Sequence, residues 1–204
     1  MCRLFGLSAA PQRVRATFWL LDASDSLAVQ SRREPDGVGL GIFRDDGTPE
    51  VHKAPVAAYR DADFAREARE LRAATFIAHI RYASTGGRTP DNTHPFCQHD
   101  RLLAHNGVIG DLPKLEGHLG NEMKLVHGDT DSERLFALIT SYAEQTGDLG
   151  EAITRAVRWV AADRQVTSTI ALDERPARPL SLADLSAHAQ ASQQPSPAAR
   201  PAGR

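Results

Sequence analysis

Apolar residues recur along most of this chain at spacings that separate strands from helices. Residues 3–9 alternate as a short strand, and residues 14–29 carry Val14, Phe18, Leu21 and Leu27 at roughly helical spacing, which predicts a helix. Residues 36–43 form a glycine-rich apolar strand, and Asp45-Asp46-Gly47 turns it toward a second strand at 51–53, so a hairpin is expected. Residues 61–73 are amphipathic with an aspartate at the start, as a helix requires. Strong strands follow at 75–82 and 102–105. Helices are expected at 111–119, where Pro113 sits in the first turn, and at 130–144 and 150–162. A last strand is expected at 166–172. This order predicts a mixed α+β domain without internal repeats.

The character of the chain changes after that strand. Five of the twelve prolines lie beyond residue 175, among alanine, serine and glutamine. Such a composition buries too little apolar surface to offset its ordering entropy. The reading therefore divides the chain into a domain at 1–172 and a disordered tail at 173–204, with at most a short helix at 181–191.

Charge and cysteine content narrow the function classes. Lys+Arg (24) and Asp+Glu (26) nearly cancel, so no basic field points to nucleic acid or an anionic membrane. No apolar run approaches the ~18–20 residues of a membrane span, and the few apolar residues after Arg3 do not make a secretory signal. The two cysteines, Cys2 and Cys97, make no disulfide framework and suit a reducing cytoplasm. Cys97 reads as a small residue beside Phe96.

Cys2 carries more weight. Removal of Met1 would place a thiol and a free α-amine on one residue. With ordinary pKa values near ~8.5 and ~7.7–8.0, both groups are close to a working state at neutral pH. An N-terminal amine can serve as general base for its own side chain. Taken alone, Cys2 is more simply read as an unremarked second residue.

Three further clusters decide between those readings: Ala78-His-Ile-Arg-Tyr-Ala-Ser-Thr-Gly-Gly87; Asn92-Thr-His-Pro-Phe96 followed by Ala104-His-Asn-Gly107; and Gly128-Asp-Thr-Asp-Ser-Glu133. With Met1-Cys2 they resemble, in order and spacing over about the first 165 residues, the class II glutamine amidotransferase domain of the N-terminal-nucleophile hydrolases. The similarity is closest to its free-standing members. The resemblance implies a four-layer αββα sandwich with Cys2 at the start of a strand facing the cleft.

It also implies roles. Cys2 is the nucleophile; Asn106 and Gly107 form the oxyanion hole; Arg81 holds the substrate α-carboxylate; Asp131 receives its α-ammonium. Ser84, Thr85 and Gly86 add hydroxyl or backbone contacts to the carboxylate. Each has a plainer alternative: Asn-Gly is a common turn, Arg81 can be an edge arginine paired with an acid, and Thr130-Asp131 can cap a helix. Asp129 is the other nearby carboxylate and ranks below Asp131. His79, His94 and His105 show no metal-ligand spacing and are expected to be satisfied structural histidines, with no metal and no cofactor.

The activity implied is hydrolysis of glutamine to glutamate and ammonia through a thioester on Cys2, with a separate synthase as possible ammonia user. A γ-glutamyl hydrolase acting on a small thiol metabolite or peptide is the alternative. A third reading comes from the tail, which does not resemble the strands that usually complete the second sheet. A truncated or frame-shifted chain would be an inactive relic or a subunit completed by a partner.

Overall fold

The computed structural model describes residues 2–162 and the backbone of Val166–Glu174. Two antiparallel sheets carry the fold. The first has strand order β1-β4-β2-β3, with β1 Arg3–Ser8, β2 Gly37–Phe43, β3 Pro49–Ala54 and β4 Thr75–Arg81. The second has order β5-β6-β7, from Phe96–Gln98, Arg101–Ile109 and Val166–Glu174.

Alternation along the strands sorts their side chains into layers. On β4, Phe76, Ala78 and Ile80 face outward, with Val38, Leu40 and Ile42 of β2. There they pack against Ala16, Leu20, Leu27 of the short helix α1 (Leu27–Gln30), and Phe64 and Ala68 of α2 (Ala62–Glu70). Leu103 and Ile109 of β6 pack against Leu115 and Leu119 of α3 (Leu112–Leu119), Leu135, Phe136 and Ile139 of α4 (Asp131–Thr146), and Ala152, Ala156 and Val160 of α5 (Leu149–Ala161). The interleaved residues Phe43, Ile77, Leu102 and Ala104 meet between the sheets. Helix, sheet, sheet, helix is the layering that the resemblance implied.

Cys2, Arg81 and Asn106 are among the polar side chains on this inner face. Cys2 has the parity of Leu4, Arg81 that of Ile77, and Asn106 that of Leu102 and Ala104, so the alternation that builds the sandwich aims all three between the sheets. Gly39 on β2 marks how closely the layers approach: a Cβ there would lie 2.0 Å from the His94 carbonyl oxygen, which only glycine avoids.

Several boundaries differ from expectation. Residues 14–29 do not form one helix. Val14 bridges to Ala73, a π-helical turn spans Phe18–Asp22, and α1 starts anew behind Ser26, whose hydroxyl caps Val29 N–H. The polar run Asp22-Ala-Ser-Asp-Ser26 interrupts the helical periodicity. Helix α2 ends at Glu70, leaving Ala73 for that bridge. Strand β6 continues to Ile109, so Asn106 and Gly107 lie within a strand, paired with Thr169 and Ser168, rather than just past one.

The expected strand at 166–172 is present as β7. Strand β7 runs to Glu174, two residues into the expected tail at 173–204; the rest of that tail, the helix at 181–191 and the sheet-completing strands lie outside the described residues. Among the described residues, no helix is long and apolar enough to cross a membrane.

Candidate active site

Antiparallel pairing of β1 with β4 sets Arg3 opposite Ile80, which brings Cys2 to the level of Arg81 and Tyr82. The Tyr82 backbone N–H donates to Cys2 Sγ at 3.2 Å, and the thiol faces the Tyr82 carbonyl at 3.5 Å. Burial pushes the Cys2 thiol pKa up. The Tyr82 contact, the chain-terminal ammonium and the Arg81 guanidinium pull it back. The sulfur is thus both desolvated and surrounded by groups that favour its thiolate.

The other sheet supplies Asn106, whose Nδ2 donates to the Cys2 carbonyl oxygen at 3.1 Å across 104 residues of sequence. A carboxamide nitrogen has two N–H donors, and this contact uses one of them. Its neighbour His105 points to the opposite face of β6, where Nδ1 meets Ser132 Oγ at 2.9 Å.

Arg81 is 3% exposed on a central strand, which removes the edge-arginine alternative. Among the described residues its guanidinium makes no ion pair within 4.0 Å; it donates to the carbonyls of Gly87 (2.8 Å), Thr85 (2.6 Å) and Gly86 (3.4 Å). Burial lowers its pKa, while the fields of Cys2 and Asp36 oppose this. A buried guanidinium satisfied by carbonyls keeps its full charge available to an anion.

Asp131, 8% exposed in the first turn of α4, accepts from the Ile109 backbone N–H at 2.7 Å. The helix cap is Thr130, whose hydroxyl accepts from Glu133 N–H at 3.3 Å, so Asp131 is not spent on capping. Asp129 is engaged elsewhere, with Asn92.

Cys2, Arg81, Ser84, Thr85, Gly107 and Asp131 line one cleft, with Tyr82 and the two histidines His94 and His105; Asn106 is not part of this lining and reaches the site through its contact with the Cys2 carbonyl. Gly86 is not part of this lining; it turns the loop with φ +71° and offers its carbonyl to Arg81. The cleft is small, with a cavity volume of ≈ 30 Å³. Exposed Tyr82, Ser84 and Thr85 form its mouth. A larger cavity of ≈ 340 Å³ lies between the β2–β3 hairpin and α2, away from Cys2. Its carboxylates are largely committed to neighbours, as where His52 bridges Glu50 and Glu67.

The histidines correct one expectation. His105 has its partner, but His79 and His94 are buried and stacked on each other, ring centroids 4.2 Å apart, and no ring nitrogen of either makes a well-formed hydrogen bond among the described residues. Burial lowers the His79 pKa to about 3, helped by His105 and Arg81, and lowers that of His94 well below the ordinary value. Both are neutral imidazoles. No cluster of metal-ligating residues occurs among the described residues.

These neutral imidazoles make stability depend on pH. An unfolded histidine binds a proton below about 6.5, whereas folded His79 does so only near 3. Between those values the unfolded state holds more protons, so stability is lost as pH falls, by about 1.4 kcal/mol per pH unit for one such histidine. Melting temperature should fall from pH 6.5 to 4, and less steeply in His79→Leu. Equal slopes for the two proteins would contradict the assignment.

Sequence reasoning missed the part played by Tyr82. It acts through its backbone, which carries no side-chain signature; its position directly after Arg81 was the only available signal. Ser132, the partner of His105, was hidden for the opposite reason, since serine in a first helical turn is unremarkable.

Comparison with known proteins bears on the family and the fold. Residues 1–168 match the family model described as glutamine amidotransferases class-II. The probable glutamine amidotransferase DUG3 of Saccharomyces cerevisiae is 29% identical over 169 residues, covering 72% of this chain and 47% of that protein. The isomerizing glutamine–fructose-6-phosphate aminotransferase of Xylella fastidiosa is 37% identical over 82 residues, 40% of this chain and 14% of its own length. The match therefore spans less than half of either relative.

Among solved structures, the glutamine phosphoribosylpyrophosphate amidotransferase of B. subtilis superimposes with a TM-score of 0.62 at 18% identity, covering 86% of this chain and 35% of that one. A glutamine aminotransferase class-II domain protein from Silicibacter pomeroyi gives 0.57 at 17% identity, over 85% and 73%. At those identities the structures establish the fold. The family model, matched over most of the length, establishes more: this chain belongs to the class II glutamine amidotransferases.

Proposed function

We propose that the chain, once Met1 is removed, hydrolyses glutamine to glutamate and ammonia through a thioester on Cys2. The observation that carries this reading is the Asn106 Nδ2 contact to the Cys2 carbonyl, which brings an amide donor from the second sheet against the residue that bears the thiol. The α-amine, through a water, takes the thiol proton, and the sulfur attacks the side-chain amide carbon. The second Asn106 N–H and the Gly107 N–H receive the charge that develops on oxygen. The amide nitrogen accepts the proton back and leaves as ammonia. Water then adds to the thioester, releasing glutamate and restoring the thiol.

Specificity comes from the head group. Arg81 attracts the α-carboxylate, for which a guanidinium fork is well shaped, with Ser84 and Thr85 beside it and Gly86 setting the turn. Asp131 pairs with the α-ammonium. Matched charges of this kind select a free amino acid over a protein side chain.

Ammonia transfer of the kind named for the Xylella relative needs an acceptor, which we place on a separate synthase or outside this sequence. A small-molecule substrate and two cysteines without a disulfide framework suit the cytoplasm. The same cleft admits a second reading, hydrolysis of a γ-glutamyl bond in a small thiol metabolite or peptide. The 51% exposure of Tyr82 at the mouth leaves space for a leaving group larger than ammonia. Ammonia release from glutamine, measured beside glutamate release from γ-glutamyl peptides, separates the two. Turnover of neither substrate would overturn both and favour the inactive or partner-completed chain.

A further inference from the structure

Two segments bear the head-group contacts proposed above, the loop at 84–87 and the turn at 128–131, and neither is a strand of a sheet. Their separation decides whether an α-carboxylate and an α-ammonium on one carbon are met together. We infer that Asn92 is a positioning residue that fixes this separation, an inference that rests on the proposed reading of the cleft.

The Asn92 carboxamide lies between the segments and binds both. Its Nδ2 donates to the Gly87 carbonyl at 3.1 Å and to Asp129 Oδ2 at 3.2 Å, while its Oδ1 accepts from the Asp129 backbone N–H at 2.7 Å. Both donors and one acceptor position of the amide are therefore used, and the residue is 1% exposed. The Gly87 carbonyl is the same one that Arg81 holds at 2.8 Å, so the amide and the guanidinium grip one point of the loop from two sides.

Packing repeats the arrangement. A Cβ on Gly86 would lie 2.9 Å from Asn92 Nδ2, and one on Gly128 would lie 2.5 Å from Asn92 Oδ1. Each segment thus rests its glycine directly against the amide. Asn92 does not line the cleft, so it acts through Arg81 and the loop on one side and through Asp129 and the turn to Asp131 on the other.

The test uses the processed chain and two electrophiles: a diazoketone analogue of glutamine that keeps both head-group charges, and iodoacetamide, which has none. Labelling of Cys2 is followed by mass. Leaving buried partners unpaired in Asn92→Ala should slow labelling by the analogue about tenfold or more. Iodoacetamide labelling should change less than about twofold, and KM for glutamine should rise more than kcat falls. Asp129→Ala, which removes the contact from the other side, should move the ratio of the two rates in the same direction.

Unchanged labelling by the analogue in both variants would overturn the inference. So would an equal slowing by both reagents with a lowered melting temperature, which would make Asn92 a scaffold residue only. A parent chain that reacts no faster with the analogue than with iodoacetamide would instead defeat the head-group reading of the cleft, and the inference with it.

Discussion

Cys2→Ala in the Met1-processed chain is expected to release ammonia from glutamine at least about 10³-fold more slowly than the parent, since loss of a nucleophile removes the covalent route altogether. The environment of the sulfur gives the reason. A half-buried thiol is a poor thiolate unless something compensates for its desolvation. Here the Tyr82 N–H at 3.2 Å and the Arg81 guanidinium both act in that sense. Neither of these groups can itself attack an amide carbon, so neither replaces the thiol. Melting temperature should be little changed, because Cys2 is not part of any hydrophobic cluster of the core. Equal rates for parent and variant, measured by coupled ammonia assay, would place the chemistry elsewhere.

Asn106→Ala should lower kcat by about 10²–10³, equivalent to ~2.7–4 kcal/mol of transition-state stabilisation, with a smaller effect on KM. The separation of kcat from KM arises because the second Asn106 N–H is needed only when charge gathers on the amide oxygen. The first is already bonded to the Cys2 carbonyl. Truncation therefore risks shifting the nucleophile as well as removing the donor. Alkylation of Cys2 by iodoacetamide distinguishes the two effects. A rate matching the parent's shows the thiol in place and leaves the kcat loss to the oxyanion. If kcat stays within about threefold of the parent while alkylation is normal, the oxyanion assignment is wrong.

The strands that form the cleft were legible because alternation is a local property. Reading residues 75–82 as a strand already puts His79 and Arg81 on one face, and the structure adds that this face looks into the sandwich. Asn106 and Gly107 show the limit of local reading. Their turn propensity is real, but pairing with Thr169 and Ser168 carries the strand through them. The broken helix at 14–29 failed for the reverse reason: apolar spacing persisted while Asp22 to Ser26 supplied both a stop and a new cap.

Chemistry was more legible than geometry. Cys2 stands out by its position behind Met1, and Arg81, Asn106 and Asp131 by the motifs that carry the family resemblance. Nothing in the sequence said that Thr130 would take the capping role and keep Asp131 out of it, or that Asp129 would be engaged by Asn92. Nor did it reveal that His79 and His94 would be stacked on each other with no well-formed hydrogen bond to either ring among the described residues, since a buried histidine ordinarily makes one. Each of these depends on contacts between segments far apart in sequence, and local patterns do not record such contacts.

The claim that Cys2 becomes the nucleophile on removal of Met1 is tested most directly by peptide mass analysis after a brief treatment with the diazoketone analogue of glutamine. The expected result is a single adduct on an N-terminal peptide that begins at Cys2, with Cys97 unlabelled and excess glutamine protecting the site. An adduct on Cys97, or none on an N-terminal peptide shown to begin with free Cys2, would contradict it.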